Sequence, residues 1–233
     1  MSQDIQANPE KKLEIEFDNS RWLRLPIRTH VITADDDILD VVKKYTPQDL
    51  KADDLLFISE RIVAISQGRA WHIDDIKPSK LAKFLVKFVT KSPYGIGLKS
   101  PWTMELAVKE AGVSRIIFAG ILSAITKPFG IRGVFYKAVG KNINAIDGPC
   151  DYTIPPYNKY AKLGPLKPNK VAKQIKEIIK RPIVIIDAND LGVAILGKSD
   201  NNITDEFCKS AFADNPLGQS DQQTPMAIVR PIK

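Results

Sequence analysis

The chain has 233 residues, 44% of them hydrophobic and 26% charged, an ordinary globular composition with room for one large domain or two small intertwined ones. No apolar run approaches the roughly 20 residues of a transmembrane helix, and the polar start of the chain lacks the apolar segment of a secretion signal. The two cysteines and two histidines lack the spacing of a disulfide framework or a zinc site, so we expect a cytoplasmic protein.

The net charge is basic, +7 in formal terms, with an isoelectric point near 9.3. Such a balance suits nucleic acids, membrane surfaces or phosphorylated small molecules as partners. The lysines are spread over several predicted helices, and no nucleic-acid-binding motif accompanies them. We therefore expect a solvated basic face, with neither a nucleic acid nor a membrane as a partner.

The amino-terminal part begins with a polar segment, residues 1–20, which we expect to be a flexible tail before a single domain over residues 21–233. Residues 24–33 predict a strand, and Pro26 suggests that this strand lies at a sheet edge. The stretch "DDDILDVVKKY" predicts a helix, because acidic residues fill its first turn and lysines its last. Residues 54–58 predict a short buried strand.

Helices are predicted next, from cap residues and apolar faces. In "SERIVAISQGR", Ser59 is a candidate N-cap and Gly68 a candidate C′ residue, although the β-branched content leaves a strand as the alternative. The stretch "SPWTMELAVKEAG" predicts a helix with proline at its first position and glycine after its last. The stretch "KPSKLAKFLVKFV" predicts an amphipathic helix. Its apolar face consists of Leu81, Phe84, Leu85 and Phe88.

The centre of the chain is apolar and then becomes polar. The stretch "SRIIFAGILSAIT" is apolar throughout, which predicts a buried helix or a buried strand. The stretch "GVFYKAVG" predicts a strand. A rigid polar and aromatic loop over residues 144–166 follows. Long loops are usually functional or disordered, and this one is too rich in tyrosine, isoleucine and proline for a disordered segment.

The carboxyl-terminal part alternates between the two kinds of element. It contains a helix in "PNKVAKQIKEIIKR", strands in "PIVIIDAND" and "LGVAILG", a helix capped by Thr204, and a last strand in "PMAIVRPI". Because helices and strands alternate without clean β–α–β units, the pattern predicts the α+β class, with mixed β-sheets and flanking helices.

Two aspartates are the best chemical candidates. Asp187 follows four apolar β-formers, which places its carboxylate at the carboxyl end of a buried strand, where open sheets bind ligands. Asp147 also follows an apolar-patterned segment. With the amide oxygens of Asn144 and Asn189 they form a hard oxygen set that suits Mg²⁺ or Mn²⁺, completed by a substrate phosphate. The alternative is that each aspartate only caps a turn or a helix.

Two further polar segments are candidates for ligand binding. Residues 66–69, "SQGR", offer backbone amides and the Arg69 guanidinium to a phosphate, and the alternative is an ordinary helix C-cap. The loop "NPLGQSDQQTP" offers Gln219 and its neighbours to a metal or substrate, against the alternative of a solvated turn. Cys150 lies near two aspartates, which disfavour a reactive thiolate, so we interpret it as structural.

Several stretches together resemble the coenzyme F420-0:L-glutamate ligase family. The stretches "PIRTHVITADDDILDVV" and "ADDLLFISERIVAISQGR" are similar to its opening strand, its acidic helix start and its Gly-Arg segment. "NINAIDGP" and "VIIDAN" look like its two metal-binding aspartate segments, and "PLGQSDQQTPMAIVRPI" looks like its carboxyl-terminal Gly-rich loop and strand. The resemblance covers the chain from about Pro26 onward and rests on the order and spacing of these segments.

The resemblance implies an F420-0 γ-glutamyl ligase-like fold and an amide-forming enzyme. Such an enzyme joins L-glutamate to a carboxylate of a coenzyme F420-0-like phosphorylated acceptor, with GTP as co-substrate and Mg²⁺ or Mn²⁺ as the metal. K⁺ is a further candidate ion, and the family implies a homodimer.

The resemblance also implies roles for individual residues at matching positions. Asp147 and Asp187 would be the catalytic residues. The implied metal ligands are Asp147, Asp187, Asn189 and Gln219. The implied contacts to the nucleotide phosphates are Gly68, Arg69 and Asn144.

The sequence departs from the family pattern at polar positions. The family's Lys-Ala-Glu-Gly-Arg segment is here "ISQGR", so that Ile65 and Gln67 replace a lysine and a glutamate. Ala188 replaces the hydroxyl residue after the second aspartate, and Gln219 and Gln222 lie in the usually acidic Gly-rich loop. The short link into the first aspartate loop is replaced by "TKPFGIRGVFYKAVGKN". The alternative function is therefore a catalytically inactive or repurposed ligand-binding protein of the same fold.

Overall fold

The computed structural model of the chain describes residues 6–89, 97–131, 133–140, 142–189, 192–218 and 220–232. The strands are β1 (Glu14–Phe17), β2 (Ser20–Ile27), β3 (Leu55–Ser59), β4 (Ala70–His72), β5 (Tyr160–Lys162), β6 (Ile183–Asn189), β7 (Gly192–Lys198) and β8 (Met226–Ile232). The α-helices are α1 (Ile38–Tyr45), α2 (Glu60–Ser66), α3 (Lys80–Leu85), α4 (Pro101–Ala111), α5 (Val113–Thr126), α6 (Val134–Val139), α7 (Pro168–Ile179) and α8 (Asp205–Ala211). Short 3₁₀ turns lie at Ile73–Asp75, Val86–Phe88, Gly97–Lys99, Lys127–Phe129, Ile143–Ala145 and Tyr157–Lys159.

These elements form two compact units. The first comprises Met1–Gly68 and Pro165–Lys233, and the second comprises Arg69–Gly164. Each unit contains helices and a separate β-sheet, so the predicted α+β class is confirmed. The single domain over residues 21–233 stays a prediction, because two compact units can belong to one domain.

The first unit is built on a six-stranded sheet with the order β1-β2-β8-β3-β6-β7. Strands β3 and β6 run parallel, and the other neighbouring pairs are antiparallel. Residues 14–17, which we expected to lie in a flexible tail, form β1 at one side of this sheet. The tail prediction is therefore wrong for those residues.

The strand that we predicted over residues 24–33 is β2, which ends at Ile27 and lies between β1 and β8. The N–H of Arg24 donates to the carbonyl of Leu13 on the β1 side, over 2.6 Å. Position 26 faces the same side, because N–H groups alternate along a strand, and β1 pairs with the first half of β2 only. Proline fits there because no strand neighbour needs its N–H. The edge assignment was wrong for the strand as a whole and holds only around Pro26.

The core of the first unit lies on both faces of this sheet. Phe57, Val184 and Ile186 pack with Phe207 and Phe212 of the α8 region on one face, and the rings of Phe57 and Phe212 are stacked with centroids 4.4 Å apart. The alternate residues of β3 and β6 point to the opposite face. The predicted buried strand over residues 54–58 is confirmed as β3.

Side-chain caps begin α1 and α2 of the first unit, and the acidic residues 35–37 precede α1 instead of filling its first turn as predicted. The side chain of Asp37 accepts a hydrogen bond from the N–H of Leu39 at the start of α1. Ser59 caps α2, and Gly68 follows its C-cap with a φ of +68°, a conformation that favours glycine. The helix over "ERIVAIS" is therefore confirmed, and the alternative of a strand is wrong.

The second unit packs α3 to α6 with a two-stranded sheet of β4 and β5. Its core includes Met104, Ala107, Ile116, Ile143 and Leu163. Ser100, the residue before α4, forms a capping box with Thr103, the third residue of the helix. This confirms the predicted start of α4.

Some predictions for the second unit are wrong, either because apolar residues lie in solvent or because the type of element differs. The predicted amphipathic helix is confirmed as α3, and Leu81 and Leu85 of its apolar face pack against the core. Phe84 and Phe88, predicted for the same face, are exposed. Helix α5, predicted to be buried throughout, buries only Ile116 and Ala119. The predicted strand "GVFYKAVG" is the helix α6.

None of the helices in the described ranges combines the length and the apolar character needed to cross a membrane.

Candidate functional site

One edge of the six-stranded sheet collects the polar residues that adjoin its strands. Ile27 at the end of β2 is opposite Met226 at the start of β8, and Met226 is opposite Ile58 near the end of β3. Ser59 is level with Ile186 on the parallel strand β6. The same end of the sheet therefore carries the segments that follow β2, β3 and β6 and the segment that precedes β8. We call this end of the strands the polar edge.

Asp187 and Asn189 extend from β6 at the polar edge, and both are half-buried. The side-chain amide of Asn189 donates to Asp187 Oδ1 over 3.2 Å. Ala188, between them, packs with the aromatic cluster beneath α8, so the two polar side chains point to the opposite face. The prediction that Asp187 lies at the carboxyl end of a buried strand is confirmed.

Glu60 is an acidic residue at the polar edge that sequence reasoning missed. It is the first residue of α2, directly after Ser59, and it is 3% exposed. The N–H of Ser59 donates to the carbonyl of Pro225 over 2.8 Å, which holds the start of β8 beside the end of β3. The positive end of a helix stabilises a carboxylate at this position. Glu60 follows β3, and Asp187 lies near the end of the adjacent parallel strand β6. An acidic residue directly after a buried apolar run was the signal in both cases.

The segment after β2 carries a second set of polar side chains. His30 Nε2 lies 2.8 Å from Asp36 Oδ1, and His30 Nδ1 lies 2.8 Å from the hydroxyl of Tyr45. Burial alone would raise the pKa of Asp36, but hydrogen bonds from Thr33 and His30 lower it below its ordinary value. Sequence reasoning missed this set, because His30 is isolated along the chain and α1 brings Tyr45 back to it.

The polar loop before β8 is joined to the same edge. The N–H of Thr29 donates to the carbonyl of Gln223 over 2.9 Å. Within the loop, Gln222 Oε1 accepts a hydrogen bond from the N–H of Ser220 over 2.8 Å. Gln219, a predicted metal ligand, lies outside the described residues.

Gly68 belongs to the first unit and Arg69 to the second. The N–H of Gly68 donates to the carbonyl of Ile65 over 2.8 Å at the carboxyl end of α2, where the helix dipole disfavours a phosphate. The Arg69 guanidinium donates to the carbonyl of Gly164 over 2.7 Å and pairs with Glu110 at 3.1 Å. The structure shows the C-cap role of Gly68, and the phosphate roles of both residues stay predictions.

Asp147 and Asn144 belong to the second unit. Asp147 exchanges two backbone hydrogen bonds with Lys162, of 3.1 and 2.9 Å, and its Oδ1 accepts from the N–H of Gly148 over 2.9 Å. Asn144 is exposed in the short turn before it. The predicted loop over residues 144–166 therefore contains β5, and the pairing of Asp147 with Lys162 joins its two halves. The roles of Asp147 and Asn144 toward a metal or a nucleotide stay predictions.

Lys162 is a buried cation that sequence reasoning treated as an ordinary lysine. It is 5% exposed, and its ammonium donates to the carbonyl of Ala145 over 2.8 Å. The Lys162 side chain thus holds the turn that leads into Asp147.

The oxygen atoms of Asp187 and Asn189 at the polar edge suit a divalent ion that is bound partly by a substrate. Among the described residues, no three His, Cys, Asp or Glu side chains form a group that could hold a metal ion. Asp187 and Asn189 supply one carboxylate and one amide oxygen, and Mg²⁺ is usually bound by one or two carboxylates with water and substrate phosphates. These residues therefore suit an ion that arrives with a phosphate and do not form a cage of protein ligands.

The chain matches a model of a known protein family. A family model described as F420-0:Gamma-glutamyl ligase matches residues 26–190. The match includes Asp147, Asp187 and Glu60. No curated protein matches the chain.

Proposed function

Because the chain belongs to the F420-0:gamma-glutamyl ligase family, we propose that it is a divalent-metal- and GTP-dependent γ-glutamyl ligase. It would form an amide between L-glutamate and a carboxylate of a coenzyme F420-0-like phosphorylated acceptor. The family resemblance inferred from the sequence is confirmed, whereas GTP, Mg²⁺ or Mn²⁺, K⁺ and a homodimer belong to the proposal.

The proposed reaction has two steps. An oxygen of the acceptor carboxylate attacks the γ-phosphorus of GTP, which forms an acyl phosphate and releases GDP. The amino group of glutamate then attacks the acyl carbon, loses a proton and expels inorganic phosphate. Groups that position the phosphates and compensate their charge lower the barriers of both steps.

The observation that carries the proposal is the contact between Asp187 and Asn189 at the polar edge. These two residues would hold Mg²⁺ or Mn²⁺, which supplies positive charge to phosphate oxygens when it is bound. Glu60 adds a second carboxylate after the neighbouring parallel strand. The remaining predicted site residues are Asp147, Asn144, Gly68, Arg69 and Gln219.

The first test is a calorimetric titration of GTP, and then of ATP, into the purified protein with Mn²⁺. We expect binding that requires the metal and that falls below detection in Asp187→Asn. Asp147→Asn tests the second predicted ligand separately. The exposed Asp49 provides the control variant Asp49→Asn, which should bind as the parent does. The proposal would be overturned if neither GTP nor ATP bound.

A second candidate function is a ligand-binding protein without catalysis. It is favoured by Gln67, which takes the place of a family glutamate and whose side chain holds the backbone of Leu166 through bonds of 3.1 and 2.7 Å. Ile65, at the position of a family lysine, is buried. Phosphate release from GTP that requires both glutamate and the acceptor would establish the ligase. Metal-dependent nucleotide binding without phosphate release would favour the second candidate.

A further inference from the structure

A large apolar surface lies in solvent on the second unit. It is formed by α5, the turn after it and α6, and we call it the α5–α6 surface. Phe129, in the turn, is 78% exposed, and Phe118, on α5, is 61% exposed. The other exposed large apolar side chains of this surface are Val113, Ile117, Ile121, Ile125, Ile131 and Tyr136.

The exposed residues of α5 form a stripe of their own. Phe118, Ile121 and Ile125 follow one another at intervals of three and four, so they share one side of the helix. The opposite side carries Ile116 and Ala119 into the core of the second unit. A helix that is apolar on all sides is normally buried, and exposed apolar patches of this kind usually mark an interaction site.

The segment that forms this surface carries charge of one sign. Between residues 111 and 146 the sequence contains five basic residues and no acidic residue. Arg115, Lys127 and Lys137 are exposed on α5, on the following turn and on α6. A second copy of the same surface would bring like charges together, which disfavours self-association through it. An anionic partner complements it.

Apolar and aromatic side chains among basic residues are the pattern of a helix that lies in a membrane interface. Helix α5 has 14 residues and is therefore about 21 Å long, so it would lie in the plane of the bilayer surface. An acidic protein partner would complement the basic residues, but its charged surface would not bury so many isoleucine and phenylalanine side chains. The combination favours a lipid surface.

We propose that the α5–α6 surface binds an anionic lipid bilayer. Phe118 and Phe129 enter the boundary between headgroups and acyl chains, and Lys127 and Lys137 contact lipid phosphates. This role is independent of the ligase chemistry, and it replaces our prediction that no membrane is a partner. The surface includes the segment that replaces the family's short link, so it is a feature of this chain.

The test is co-sedimentation of the full chain with vesicles. Phosphatidylcholine vesicles are compared with vesicles of phosphatidylcholine and phosphatidylglycerol. We expect binding to the anionic vesicles only, and we expect it to weaken as salt is raised. Lys127→Glu with Lys137→Glu should lower the partition coefficient roughly fivefold or more for each lysine. Phe118→Ser with Phe129→Ser should lower it roughly tenfold or more.

The control variants lie on α7 in the other unit. Lys170→Glu with Lys173→Glu makes the same change in net charge at exposed lysines, and Ile178→Ser removes an exposed apolar side chain. These variants should bind as the parent does. Equal binding to both vesicle types, or equal losses in the control variants, would overturn the proposal. A dimer in sedimentation velocity that Phe118→Ser with Phe129→Ser dissociates, without vesicle binding, would assign the surface to self-association instead.

Discussion

Arg230 on β8 holds Asp54 through two parallel hydrogen bonds, from Nε to Oδ1 and from Nη2 to Oδ2, each 2.7 Å long. The Asp54 side chain is 1% exposed, and the N–H of Lys51 donates a further bond of 2.8 Å to its carboxylate. The hydrogen bond to Asp54 and the charge of that carboxylate raise the pKa of Arg230. This buried pair joins β8 to the residue that precedes β3.

Removal of one partner should therefore be costly. We expect Asp54→Ala to lower the free energy of unfolding by about 3–5 kcal/mol, because it leaves a largely buried guanidinium without its counter-charge. Urea denaturation followed by circular dichroism measures this change. Glu14→Ala, which breaks an exposed pair with Arg21, is the control and should leave the midpoint unchanged. Equal midpoints for both variants would contradict the prediction.

A second ion pair predicts the response to acid. Burial alone would raise the pKa of Asp214, but the hydrogen bond and charge of the buried Arg24 lower it below its ordinary value of 3.8. A carboxyl with a lowered pKa stabilises the folded state above its unfolded pKa, and this contribution is lost as pH falls through the folded value. We expect the parent to lose more stability than Asp214→Asn between neutral pH and pH values below about 4, measured as thermal midpoints. Parallel curves would contradict this assignment.

Alanine substitutions at two glycines should change the free energy of unfolding in opposite directions. A Cβ at Gly197 on β7 would lie 2.5 Å from the carbonyl carbon of Pro168 at the start of α7. We expect Gly197→Ala to destabilise the protein by about 1–3 kcal/mol, because backbone must move. A Cβ at Gly120 in α5 meets no atom within 4 Å, so Gly120→Ala should stabilise it by about 0.5–1 kcal/mol. Urea denaturation of both variants gives the two signs.

The two thiols should differ in reactivity. Cys208 is fully buried, and burial raises the pKa of its thiol to about 12, whereas Cys150 is half-buried. Since the thiolate is the reactive form, we expect a disulfide reagent at neutral pH to modify Cys150 alone in the folded protein. Both thiols should react in denaturant. Mass spectrometry of the labelled protein identifies the site, and labelling of Cys208 in the folded Cys150→Ser variant would contradict the prediction.

Glu60 tests the polar edge directly. If it acts with Asp187 on a metal–nucleotide complex, Glu60→Gln should lower GTP-dependent phosphate release by roughly tenfold to a hundredfold. Glu177→Gln, on the exposed side of α7, is the matched control and should leave the rate unchanged. Thermal midpoints separate this effect from a loss of stability. An unchanged rate in a folded Glu60→Gln variant would assign Glu60 a purely structural role.

The sequence could predict Asp187 and Asn189 but not the polar residues that other elements bring to the same edge. An acidic residue after four apolar β-formers is a local pattern, so the end of β6 was visible along the chain. Glu60 joins it only because β3 pairs with β6, and those strands are separated by most of the sequence. His30 meets Tyr45 for a similar reason, since the turn into α1 reverses the chain.

The sequence by itself determined the features that depend on residues close to one another along the chain. It determined the starts of α2 and α4, because a capping hydrogen bond joins residues two or three positions apart, and it determined the family through the order of short motifs. The tertiary structure alone decided which apolar residues are buried. Phe118 and Phe129 are as apolar as core residues, but no element in the described part of the second unit covers them. Burial requires a neighbouring element, and hydrophobicity along the chain does not specify one.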